Sequence, residues 1–119
     1  MTKETQFFVV SETRKLLKTS SACPGAKEAA RRFLDAVGTA NEKAEATKYL
    51  QELKEDLEPI DNVLAFAKSP SAEKYFGFEG AKKFLDHVNA MKENGVKYCD
   101  CPACLIAEAI LKEKDAILK

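Results

Sequence analysis

Apolar residues in this 119-residue chain recur at helical intervals and nowhere alternate. Ala26, Ala29, Ala30, Phe33, Leu34 and Val37 fall three and four residues apart, which gathers them on one face of a helix. A strand changes face at every residue and would scatter the same set to both sides. The pattern repeats along the chain. Phe7, Val10 and Leu17, flanked by Phe8, Val9 and Leu16, give a first helix over about 3–18 with Thr2 as its N-cap. Cys23-Pro24 opens the second helix, because proline's missing N–H is no loss in a first turn, and Gly38 supplies a left-handed stop. Thr39 and Glu42 have capping-box spacing ahead of the stripe Ala46, Tyr49, Leu50, Leu53 and Leu57. Pro59 breaks or kinks that run, and Ile60, Val63, Leu64 and Ala67 carry an apolar face beyond it.

Ser69-Pro70 makes another stop and start, leading to a short turn that Gly77 closes. A helix over about 78–94 follows on Phe78, Ala81, Phe84, Leu85, Val88 and Met91. Asn94-Gly95 ends it, with Val96 placed for the hydrophobic contact of a Schellman ending. The last helix begins at Pro102 and runs to the end on Ala103, Ile106, Ala107, Ile110, Leu111, Ile117 and Leu118. The chain reads as all-α: a single compact bundle of five to seven helices, one domain over residues 1–119.

Composition narrows the function. A 45 % apolar and 32 % charged chain is globular rather than disordered. Nineteen basic and nineteen acidic residues cancel, without the basic excess of a nucleic-acid binder, so no nucleic-acid partner is expected. No apolar run is long enough to span a membrane, and the polar, acid-containing N-terminus is not a secretory signal. A cytoplasmic location follows, where thiols stay reduced and cysteines serve metals or redox chemistry rather than structural disulfides. A protein partner or a homodimer fits such a chain, and nothing specifies a small-molecule substrate.

Three of the four cysteines stand within six residues, at Cys99, Cys101 and Cys104, where a loop runs into the last helix. Spacings of two and three let their sulfurs converge on one point. Tetrahedral zinc takes four ligands, with sulfur at about 2.3 Å. Cys23, also followed by proline, completes a four-thiolate set only if the two loops meet. Helix parity decides that: the loops share one end if just one of the breaks at Pro59 and Ser69-Pro70 reverses the chain, and lie at opposite ends if both do. The second reading is a redox dithiol. Cys101 at a helix N-cap would have its thiolate favoured by the helix dipole and act as attacking thiol, with Cys104 resolving. Burial as small hydrophobes, without site chemistry, is the third, and it leaves a helical interaction module.

Other residues carry less. His87, the only histidine, is a surface or structural residue, or a substitute fourth ligand if Cys23 is too distant. One histidine, with Phe84 three residues before it, excludes the paired Glu-x-x-His motifs of a diiron bundle. The acid run Glu52, Glu55, Asp56, Glu58 and Asp61, interleaved with Lys48 and Lys54, reads as a solvated face with local ion pairs. No phosphate-binding loop motif and no nucleophile elbow occur, so nucleotide and serine-hydrolase chemistry are unsupported.

Cys101-Pro102-Ala103-Cys104 resembles the Cys-Pro-x-Cys of glutaredoxins, without their βαβ context. It is also similar in part to the helical C-x-x-C of all-α proteins of the alkyl hydroperoxidase D type, whose histidine four residues on is Glu108 here. Across most of the chain, Cys23-Pro24-Gly25-Ala26-Lys27, Phe33 to Thr39, Pro59-Ile60-Asp61-Asn62 and above all Lys97-Tyr98-Cys99-Asp100-Cys101-Pro102-Ala103-Cys104 resemble a family of small bacterial proteins. Its members are often labelled ninety-kilodalton heat-shock chaperones, whose length and nucleotide-binding domain this chain lacks. A second cysteine commonly precedes the family's counterpart of Cys23, where this chain has Ala22. The resemblance implies a small helical protein and no particular reaction. The expectation is a thiolate site, with zinc as the metal, on Cys99, Cys101 and Cys104 with Cys23 or another fourth ligand.

Overall fold

In a computed structural model describing all 119 residues, seven helices form and no strand does. They are α1 (Lys3–Leu17), α2 (Pro24–Ala36), α3 (Glu42–Asp56), α4 (Ile60–Ala67), α5 (Pro70–Glu93), α6 (Pro102–Lys112) and α7 (Lys114–Leu118). Most boundaries sit where local chemistry puts them. The Thr2 hydroxyl accepts from the Thr5 N–H and caps α1, while α2, α5 and α6 each open on a proline that needs no donor. No helix is long and apolar enough to cross a membrane. The chain divides into two compact units, Met1–Leu57 with Asp100–Lys119, and Glu58–Cys99.

The first unit is an up-down-up-down bundle of α1, α2, α3 and α6. α2 and α6 each pack against both α1 and α3, and α7 folds back onto the same pair. Alanines on the inner faces, Ala26, Ala30, Ala46, Ala103 and Ala107, leave room for the large buried side chains of Leu16, Phe33, Tyr49, Leu53 and Ile110. The Phe33 and Tyr49 rings stack with centroids 5.3 Å apart, which joins α2 to α3. The Tyr49 hydroxyl then shares a 2.9 Å hydrogen bond with buried Thr13 of α1. Burial pushes the Tyr49 phenol up to about 12, against the pull of the Thr13 bond.

Two local expectations are realised differently. The Thr39 hydroxyl donates to the Ala36 carbonyl, and the Glu42 carboxylate accepts from the Gly38 N–H, so the capping-box residues serve the end of α2 while Asn41 is the N-cap of α3. The expected single last helix bends at Glu113, and the bend lets Ile117 of α7 join the core.

The second unit is the pair α4 and α5 with the stretch of chain that follows them, around Ile60, Val63, Ala67, Val88 and Met91. Pro59 ends the preceding helical run rather than kinking it: Leu57 turns extended, and Pro59 forms an isolated antiparallel bridge with Tyr98. The Ile60 N–H donates to the Lys97 carbonyl at 2.8 Å and the Cys99 N–H to the Glu58 carbonyl at 2.8 Å. The unit therefore begins and ends at one clasp. Its α5 closes with the Schellman pair, Val96 N–H to Met91 and Gly95 N–H to Lys92.

Gly77 interrupts α5 with φ 77° and ψ 170°, a backbone region that only glycine enters without strain. Gly77→Ala should destabilise this unit by about 1–3 kcal/mol. Urea unfolding checks it: a variant as stable as the parent would mean that the α5 interruption does not depend on glycine.

Candidate metal centre

The stretch from Cys99 to Cys104 brings its three sulfurs together by local backbone geometry. Cys101 is the N-cap of α6, with extended φ −63° and ψ 156°, and Cys99 stands two residues before it. Cys104 is the third helical residue, and N-cap and N3 side chains meet across the first turn, the geometry a capping box uses. The three Sγ atoms all lie within 4.8 Å of one another. Four sulfurs at about 2.3 Å from a tetrahedral zinc stand about 3.8 Å apart, within reach of side-chain rotation from such a grouping. Cys99 and Cys101 are half-buried and Cys104 is buried, so the sulfurs are partly withdrawn from water. This group can hold a metal ion.

Cys23 is placed by the first unit. α2 and α6 both start at the end of the bundle where α1 and α3 finish, and the Ala103 N–H at the start of α6 donates to the Ser21 hydroxyl ahead of α2 at 3.2 Å. The parity question resolves through the clasp at Glu58 and Cys99, because the second unit returns the chain to its point of departure. Cys23 and Cys104 consequently line one small recess of about 70 Å³, with Asp56 at its edge and Leu16, Leu53 and Ala107 in its walls. Such a volume accommodates an ion with its water, and lies well below the ~300–1,000 Å³ of small-molecule sites.

The Cys23 sulfur nevertheless has other company. Its thiol donates to the Asp56 carboxylate at 3.2 Å, and the Sγ falls in a separate group with Glu52 and Asp56, all within 4.8 Å of one another. Partial burial pushes the Cys23 thiol up. The hydrogen bond to the Ala26 backbone opposes this, and the Asp56 bond and the charges of Asp56 and Glu52 reinforce it. Partial burial and the neighbouring Asp56 and Glu55 charges likewise push the Glu52 carboxyl up. Cys23 sits at a helix start, yet its burial and its acidic neighbours oppose the thiolate form there.

His87 is exposed on α5 and belongs to neither group. Glu52 and Asp56 belong to the acid run that reads as a solvated face, and the structure places both beside the Cys23 sulfur. Their separation of four residues stacks both carboxylates on one side of α3. No protein-family model, curated protein or solved structure matches this chain.

Proposed function

We propose that this protein binds a divalent metal, zinc by its donor set, through the thiolates of Cys99, Cys101 and Cys104, in a structural or sensing role. The observation that carries the reading is the convergence of three sulfurs within 4.8 Å from six consecutive residues. Thiolates select zinc and other soft or borderline metals over magnesium or calcium. Three protein ligands leave one tetrahedral position, for Cys23 or for an exogenous ligand, and a closed set is structural where an open one senses or reacts. The bound ion would hold the backbone that enters α6. Reduced protein should take up zinc stoichiometrically and release thiol protons as it does so. Purified, reduced chain that carries no metal and takes up none at one equivalent would overturn the reading.

The position of Cys101 at the α6 N-cap favours one second reading, a thiol–disulfide or peroxide-linked reductant with Cys101 attacking and Cys104 resolving. Alkylation rates across pH separate the two. A Cys101 thiol titrating near the ordinary value of about 8.5 counts against the redox reading.

A further inference from the structure

We infer that Cys23, Glu52 and Asp56 form a second metal site, a mixed thiolate–carboxylate centre for a borderline divalent ion of the zinc type. The donors come from two helices: Glu52 and Asp56 from one face of α3, and Cys23 from the N-cap of α2. Their ligand atoms lie within 4.8 Å of one another, and one sulfur and two carboxylates are ordinary zinc donors at about 2.0–2.3 Å. No lysine or arginine forms an ion pair with Glu52 or Asp56, although carboxylates four residues apart on a helix repel.

Gly25 supplies an independent observation. It lies inside α2 with ordinary helical backbone, so no left-handed turn calls for glycine, the least favourable helix residue after proline. The Glu52 Oε1 lies against the place a Cβ would take, so a methyl group there would push this side-chain end aside. Glycine at this position lets the Glu52 carboxylate approach the start of α2 beside Cys23. On metal binding the Cys23 S–H proton passes to solvent and the sulfur, with the two carboxylates, donates electron pairs to the ion, with no change of oxidation state. The inference takes Cys23 out of the three-thiolate site and leaves the fourth position there to an exogenous ligand.

Equilibrium dialysis of the full, reduced chain against zinc, with ¹¹³Cd NMR to read the donor set, tests this. The expected result is two ions per chain. Glu52→Gln combined with Asp56→Asn should abolish one and leave the other. Cys101→Ser combined with Cys104→Ser should leave the ion held by Cys23. Gly25→Ala, which leaves every ligand in the chain but displaces the Glu52 carboxylate, should weaken the second ion at least tenfold. Far-ultraviolet circular dichroism confirms that each variant retains its helices. One ion in the parent, unaffected by the Glu52 and Asp56 changes, overturns the inference, whether or not Cys23→Ser removes it. One ion lost with Glu52 and Asp56 but retained without Cys101 and Cys104 supports the inference and overturns the three-thiolate reading. No bound ion overturns both.

Discussion

Cys104→Ala should lower zinc affinity at the three-thiolate site by two to three orders of magnitude while leaving the helices of the first unit intact. Structural zinc sites are worth about 10–16 kcal/mol over four ligands, so one ligand carries about 3–4 kcal/mol, or roughly 10²–10³ in affinity. Cys104 is the most buried of the three cysteines, and alanine is close to it in size. The cavity cost in the metal-free protein is therefore small, of order 1 kcal/mol. Competition against a chromophoric chelator measures the affinity, and thermal unfolding without metal supplies the control. An affinity within threefold of the parent would remove Cys104 from the ligand set, and with it the convergence on which the metal reading stands. A large loss of metal-free stability would instead mark Cys104 as a packing residue.

That variant also bears on how far such a site can be read from residues alone. Cys101 and Cys104 converge because N-cap and N3 side chains face each other across a first helical turn, and Cys99 stands two residues ahead of them. These are local relations, and Pro102 announces them. Cys23 was a different matter. Whether it approached the start of α6 depended on where some forty intervening residues returned the chain, and that is settled by hydrogen bonds at Glu58, Ile60, Lys97 and Cys99. Backbone groups made that clasp, so side-chain pattern could not reveal it. Pro59 marked the place but could not say whether it ended a helix or bent one. The carboxylates beside Cys23 were hidden for a related reason. Glu52 and Asp56 have the composition of a wet helix face, and only the packing of α2 against α3 sets a cysteine between them. Most helix ends were legible, because Thr2, Pro24, Gly38, Gly95 and Pro102 act within a turn of where they stand, whereas the bend at Glu113 carries no such signal.

Phe33→Ala should destabilise the first unit by about 3–5 kcal/mol, a large share of the ~5–15 kcal/mol that holds a domain of this size together. Phe33 is fully buried, and its ring stacks on Tyr49 at 5.3 Å. Truncation therefore loses the ring's transfer energy, opens a cavity and removes an aromatic pair worth about 0.5–1.5 kcal/mol. The neighbours cannot collapse cheaply into the space. Tyr49 is held by its 2.9 Å bond to Thr13, and any movement toward the cavity would strain or break a buried hydrogen bond across the bundle. Ala26, Ala30 and Ala46 of the same core have no side-chain reach with which to fill it. Guanidinium unfolding, followed by tyrosine fluorescence and far-ultraviolet circular dichroism, gives the loss as a shift in midpoint. Phe78→Ala is the matched control: its ring is 69 % exposed, and its removal should cost no more than about 0.5 kcal/mol. Equal costs for the two substitutions would mean that the Phe33–Tyr49–Thr13 connection does not hold α1, α2 and α3 together. The end of the bundle that gathers Cys23, Asp56 and Cys104 would then owe its geometry to other contacts.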